Sequence, residues 1–195
     1  MKKLKPTYLL LILFATFSLH NCKKDNNNTK CGGDKYYYYL SEPAKSKVPY
    51  SGTDTLVFVS NNHDTAVCMG QGKKQFYVTS SFYANPDCPP NTDYYEAFNY
   101  KFIDKNDKLN LEINLYKNDG YVSEVMDMNI NSTRLYPINL IYMYEWYYND
   151  SVSTNMRQYK TFKLNFGLGN IVHYNLMKGI IQIQSKINVW TLSEK

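Results

Sequence analysis

Residues 94–115 read YYEAFNYKFIDKNDKLNLEINL, and their alternation decides the fold class. Leu109, Leu111, Ile113 and Leu115 occupy every second position, with polar neighbours between them. Period two puts all four on one face of a strand; a helix of 3.6 residues per turn would scatter them around its circumference. Phe98, Tyr100 and Phe102 repeat the pattern in the preceding segment. Between the two lies Asp104-Lys105-Asn106-Asp107, rich in turn-forming side chains. The unit reads as a β-hairpin with one apolar face.

The same pattern extends in both directions. Upstream, Thr55-Leu56-Val57-Phe58-Val59 is a β-branched and aromatic run, followed by turn residues Asn61-Asn62-His63-Asp64. Lys74 to Tyr83 is a further strand, closed by Asn85-Pro86. Downstream, Asn118-Asp119-Gly120 is the strongest hairpin signal, because glycine tolerates the positive φ of a tight turn. Leu135 to Tyr148 reads as a long aromatic strand, with Pro137 marking a bulge or an edge. Asn149-Asp150-Ser151 turns the chain again. Phe162, Leu164 and Phe166 alternate up to the break at Gly167-Leu168-Gly169-Asn170. Ile171 to Asn175, Lys178-Gly179, Ile180 to Gln184 and Ile187 to Leu192 complete two more hairpins. No stretch of eleven residues carries a helical apolar face. The expectation is an all-β chain: an antiparallel meander of about ten strands, forming a barrel or a sandwich. If the last strand, ending Trp190-Thr191-Leu192, pairs early in the chain, the sheet closes and loses its exposed edges.

The front of the chain is of another kind. Lys2, Lys3 and Lys5 precede an uncharged apolar run from Tyr8 to Leu19. A bilayer span needs roughly 20 apolar residues, so the run fits a secretory signal instead. It ends Leu19-His20-Asn21-Cys22, which resembles the lipobox of bacterial lipoproteins. The resemblance implies that Leu19 guides the lipoprotein signal peptidase and that the Cys22 thiol takes a diacylglycerol, with the new N-terminus acylated. Asn21 and His20 depart from the small residues usual in that motif. Acyl burial contributes about 0.8 kcal/mol per CH₂, and one myristoyl-length chain binds only marginally, so three chains would make release negligible. The Asn, Lys and Tyr bias, and the start Cys22-Lys23-Lys24-Asp25, also resemble lipoproteins of Bacteroidota. Tyr174 through Leu192 is loosely similar to the C-terminal hairpins of small uncharacterised lipoproteins of that phylum. That resemblance implies no activity.

The expected organisation is a signal peptide over residues 1–21, a lipidated N-terminus with a flexible tether over 22–47, and a single β domain over 48–195. Lys23 to Lys35 is polar, Asn-rich and contains Gly32-Gly33. Tyr36 to Tyr39 is expected to be the first strand; the alternative is a place at the membrane interface, where tyrosine is favoured. From Val48 onward, 148 of the 195 residues remain. Such a chain buries roughly 70% of its unfolded surface, enough for one core.

Composition narrows the function classes. The formal net charge is +5, and removing residues 1–21 takes away three lysines and no acid, leaving +2. Arg134 and Arg157 are the arginines, and no basic cluster follows a phosphate track, so nucleic acid is rejected. Aromatic residues make up 16%, and twenty tyrosines spread along the chain suit half-buried strands before they suit sugar or peptide recognition.

With Cys22 acylated, Cys31, Cys68 and Cys88 remain, an odd number that allows one internal bridge. Cys68–Cys88 is expected because its loop is short; Cys31–Cys88, which would staple the linker to the domain, is the alternative. A zinc site from His63 and these cysteines lacks the usual ligand spacing, and no metal or cofactor is expected. Cysteine nucleophiles have no identifiable base. His63-Asp64 reads as a solvated turn pair and His173 as a half-buried sheet residue. Asp104 to Asp107 reads as a hairpin turn rather than a Ca²⁺ loop. Nucleophile-elbow, zincin, P-loop and dinucleotide fingerprints are absent, and Gly167-Leu168-Gly169-Asn170 leads into a strand, not a phosphate-binding helix.

Asp93, Glu96, Glu112, Glu124 and Glu145 lie on or near strands, and a glycosidase pair would need two of them about 5–10 Å apart. Tyr144-Glu145-Trp146 is the candidate ligand-binding triplet, an acid between aromatics that could line a sugar groove; the plainer reading is an outward-facing strand residue. The leading expectation is a non-catalytic, lipid-anchored protein of the outer membrane or cell surface. It would contact the membrane through its lipid and bind a glycan, lipid or protein, or serve envelope structure. A lipocalin-like ligand-binding barrel is the alternative, and a glycan or peptide hydrolase comes third.

Overall fold

A computed structural model describes residues 31–118, 123–135, 137–140, 150–165 and 169–194. The expected signal peptide, Cys22 and the first part of the expected tether lie outside the described residues, as do Tyr144, Glu145, Trp146, Phe166 and the tip of the Asn118-Asp119-Gly120 turn.

The chain is all-β. Its elements are β1 (Lys35–Tyr38), a one-turn helix α1 (Glu42–Lys45), β2 (Thr55–Ser60), β3 (Thr65–Phe82), β4 (Asn91–Asp104), β5 (Asn110–Lys117), β6 (Glu124–Ile130), β7 (Thr133–Arg134), β8 (Ile138–Asn139), β9 (Asp150–Ser153), β10 (Gln158–Asn165), β11 (Ile171–Asn175), β12 (Gly179–Gln184) and β13 (Val189–Leu192). The alternating segment at 109–115 is β5, whose Leu111, Ile113 and Leu115 are all buried. The Asn118 hairpin is formed: Lys117 faces Glu124, and Asn118 N donates to Ser123 O at 2.9 Å. The long strand expected over Leu135 to Tyr148 is, in its described part, only the two-residue β8 beside β6.

The strand order is β7-β6-β5-β4-β3-β2-β13-β12-β11-β10-β9, with neighbours antiparallel along the path. The last strand does pair early, Trp190 opposite Ser60 and Leu192 opposite Phe58. That pairing joins two meanders rather than closing the sheet: among the described residues the path ends at β7 on one side and β9 on the other. The sheet curls so that one core draws on both halves, with Phe58, Phe102, Ile113 and Met126 from one and Tyr174, Ile180 and Val172 from the other.

Two segments depart from the expected organisation. Residues 35–47, expected within the lipidated N-terminus and tether, pack with the rest of the sheet, and β1 is the first strand expected over Tyr36 to Tyr39. β1 runs parallel to β4 (Tyr37 opposite Tyr94), on the edge that β5 leaves free once it has passed Ala97. Leu40, Ala44, Val48 and Tyr50 then plug that end of the curled sheet. Tyr174 Oη donates to Lys47 O at 2.7 Å, and Ile180 N donates to Tyr50 Oη at 2.6 Å. α1 is short but well capped: Ser41 Oγ accepts from Ala44 N, and Pro43 sits in the first turn.

The second departure is β3, which runs for eighteen residues. Its first part pairs with β2, as far as Met69 opposite Thr55. A register shift follows between Gly70 and Lys73, and the strand continues with β4 alone. Gly70 N and Gly72 N donate to Asp54 O and Gly52 O, and Gly52, at φ +93°, passes so close to Gly72 and Lys73 that a side chain would collide with their backbone.

Candidate functional site

Beyond the register shift, β3 and β4 leave the body of the sheet as a hairpin arm, and β1 adds a third strand to it. Period two sends successive side chains to opposite faces. On β3 the apolar residues Phe76, Tyr77 and Val78 are consecutive, so both faces receive them. β1 repeats this with Tyr36 to Tyr38, continued by Tyr39. Nine of the fourteen large apolar residues exposed among the described residues lie here: Tyr36 to Tyr39, Phe76 to Val78, Phe82 and Tyr83. Their clustering makes this arm the apolar surface that calls for a partner.

One face continues the inner face of the sheet outward. Tyr37 stacks on Tyr94 with ring centroids 4.8 Å apart and 15° between planes. Tyr77 meets Tyr37 edge-on at 5.7 Å and Tyr94 at 6.3 Å, and Tyr39 meets Tyr77 at 6.4 Å. At the root of this face Glu96 is buried, accepting from Leu40 N at 2.9 Å and Gln75 Nε2 at 2.7 Å and pairing with Lys45 Nζ at 3.3 Å. Lys73 Nζ lies 4.0 Å above the Phe98 ring. On the other face Tyr38 stacks on Tyr95 at 5.0 Å, and Tyr95 Oη donates to Asp93 at 3.0 Å. Asp93 Oδ1 is buried without a hydrogen-bond partner. Each aromatic pair contributes on the order of 1 kcal/mol beyond area burial, so the exposed rings are held in place.

The tip of the arm is stapled. Cys88, in the turn between β3 and β4, is bonded to Cys31, with Cα atoms 5.2 Å apart. This corrects the expected Cys68–Cys88 bridge. Cys68 lies near the start of β3 and Cys88 beyond its end; the fourteen steps from Cys68 to Phe82, at ~3.3 Å each, separate them by roughly 45 Å, far outside the ~7 Å that a disulfide spans. Cys68 is instead a free, buried thiol that donates to Leu109 O at 3.2 Å. Burial, with Asp104 nearby, pushes its pKa up to about 12, the opposite of what a nucleophile needs.

The remaining candidates are built into the sheet. Asp104 caps its hairpin by accepting from Val67 N, Asn106 N and Lys108 N; burial would raise its pKa, but these bonds outweigh it and hold the carboxyl below its ordinary value. Glu112 accepts from Asn99 and Asn129, and Glu124 from Ser41 N and Oγ. Glu96 and Glu112 sit on opposite faces, because Glu112 is paired with Lys101, an odd neighbour along β4. His173 is buried in β11, 3.3 Å from Thr161 Oγ1 and 3.8 Å from Asp150. Among the described residues no group of three or more His, Cys, Asp or Glu could hold a metal ion. Cys22 and the Tyr144-Glu145-Trp146 triplet lie outside them.

The curled interior is filled by its own side chains, Phe58, Tyr100, Phe102 and Tyr174 being almost wholly inaccessible. A recess of about 160 Å³ is lined by Ile130, Leu135, Val172 and Ile183. Ordinary ligand pockets hold roughly 300–1,000 Å³. Two larger hollows, of about 540 and 500 Å³, are more open and mostly polar-walled.

No family model, curated protein or solved structure matches the chain.

Proposed function

We propose that this protein is a lipid-anchored, non-catalytic binding or structural protein of the cell envelope, held at the outer membrane or cell surface through an acylated Cys22. The reading rests first on the front of the chain: three lysines, an apolar run too short to span, and the lipobox-like Leu19-His20-Asn21-Cys22. The observation that carries the binding role is the stapled arm, which presents ordered tyrosines to solvent on a rigid three-stranded support. Glu96, Glu112 and Glu124, each committed to ion pairs, cross-strand bonds or the Ser41 cap, favour this reading over the hydrolase. An interior packed with tyrosine and phenylalanine favours it over a lipocalin-like barrel. Mass spectrometry of the protein extracted from membranes tests the anchor: the expected N-terminal peptide begins at Cys22 and carries acyl mass, and Cys22→Ala abolishes both. An intact leader with no fatty modification would overturn the proposal.

A further inference from the structure

We infer that the three-stranded arm is a second contact with the bilayer, its tip and both tyrosine faces seated in the headgroup interface of the membrane that holds the lipid on Cys22. The inference rests on the acylation proposed above and adds the surface and orientation with which the domain meets the membrane.

Chain length supplies the first argument. Nine residues lead from Cys22 to Cys31. At no more than ~3.6 Å each, they keep Cys31 within about 32 Å of the lipid whatever path they take. The Cys31–Cys88 bond transfers that limit to the tip of the arm. The turn at Asn61–Asp64 lies at the other end of the eighteen-residue β3, roughly 60 Å away along the strand. The tethered end is therefore the aromatic end: Tyr83, 67% exposed, and Phe82, 44% exposed, stand beside the staple.

Surface geometry supplies the second. A partner that docks on one face of the arm leaves the other face exposed. Here Tyr37, Tyr39 and Tyr77 are exposed on one face, Tyr36, Tyr38, Phe76 and Val78 on the other, and Phe82 and Tyr83 at the end. An environment that surrounds the arm matches this distribution, and a bilayer surface is such an environment. The depth is set by the backbone. Among the described residues, β1 and the outer part of β3 each keep one edge without a strand partner. Unpaired peptide groups cost several kcal/mol each in hydrocarbon, so the arm stops at the headgroups. That is the level tyrosine prefers, with its ring toward the acyl chains and its hydroxyl toward water.

The test uses the full lipidated chain in phosphatidylcholine–phosphatidylglycerol vesicles, with and without lipid brominated near the headgroup end of its acyl chains. Tyr83→Trp reports on the tip. Ile187→Trp, on the exposed β12–β13 turn beside Asn61 and Asn62, reports on the far end. Phe82→Trp replaces Tyr83→Trp if circular dichroism shows that variant unfolded. Read as the difference from the chain without the added indole, since Trp146 and Trp190 emit in every variant, the expected result is a blue-shifted emission quenched by brominated lipid for the tip indole, and neither effect for Ile187→Trp. Equal, unquenched emission at both positions on a chain with verified acyl mass would overturn the inference while leaving the anchor intact. So would a tip indole shielded from iodide only at concentrations where sedimentation shows dimers, which would assign the arm to a second copy. A chain without acyl mass whose tip is still quenched would sink the anchor and leave the arm contact standing.

Discussion

Gly179 opens β12 at φ +79°, with the Tyr50 ring packed where a side chain would go. Gly179→Ala forces an L-residue into the left-handed region, at roughly 1–2 kcal/mol. It also displaces the hydroxyl that Ile180 N needs, a buried bond whose loss costs about 1–3 kcal/mol. We expect a loss near 3 kcal/mol in urea titration, and a smaller one for Tyr50→Phe, which removes the bond without the strain. His173 carries a pH signature. Burial lowers its pKa below the ordinary 6.5, Lys163 adds to that, and Asp150 opposes it. The unfolded chain therefore binds the proton more readily, and stability falls as pH drops below about 6.5. The urea midpoint should decline from pH ~7.5 to ~5.5 in the wild type and less so in His173→Gln; equal slopes would assign the acid sensitivity elsewhere. Cys68 makes a third prediction. With its pKa pushed up to about 12, it should resist a thiol reagent in the native protein and react once the chain is unfolded without reductant.

At the scale of elements, the Cys31–Cys88 bond closes a separation of 57 residues. The chain-entropy estimate puts its stabilisation at about 4 kcal/mol, so Cys31→Ser and Cys88→Ser should each lose up to that amount, with the double variant losing no more than either alone. A double variant markedly worse than the singles would mean that the two thiols act separately. The pairing was not legible in the sequence, and β3 is the reason. Alternation made β5 readable, and Asn118-Asp119-Gly120 made its hairpin readable. Residues 65–73, TAVCMGQGK, contain two glycines, which weaken a strand interior, and the strand expected from the sequence begins only at Lys74. In the fold the missing side chain of Gly70 instead lets Gly52 cross the strand at close range, Gly72 supplies a φ of +100°, and β3 continues through them. Once 68–88 is mostly extended strand, a short loop in sequence becomes a long distance in space. The same reasoning explains the plug at residues 40–50. Leu40 ends the tyrosine run, Ala44 and Val48 are single apolar residues in a polar stretch, the three share no sustained period, and only tertiary packing recruits them. The arm left a trace in Phe76-Tyr77-Val78 and in the tyrosines at 36–39: consecutive apolar residues on a strand must expose one set unless both faces are covered.

For the whole molecule, the decisive contact is the narrow one between β2 and β13. Each half of the sheet is a local meander, and the short β13 joins them across the full length of the chain. Trp190 sinks into the common core, Ser193 N donates to Val57 O, Asn61 N donates to Val189 O, and Asn62 bonds Asn188. Pairing ends so far apart in sequence is slow to form, because loop closure precedes any reward. Two outcomes are therefore separable. If the halves depend on each other, Trp190→Ala should cost about 3–5 kcal/mol in one cooperative transition, and deleting residues 188–195 should unfold the whole domain, since domain stability is only about 5–15 kcal/mol. If instead β3 to β6 holds together alone, proteolysis of the truncated chain would leave a resistant fragment covering roughly residues 50–135. The core argues for the first outcome. Phe58 and Phe102 from one half and Tyr174 and Ile180 from the other belong to a single cluster, and Tyr50 and Lys47 tie the plug to β11 and β12. A half-sheet left alone would expose its inner row of Leu, Ile and Phe to water, and nothing else in the described chain is placed to cover it.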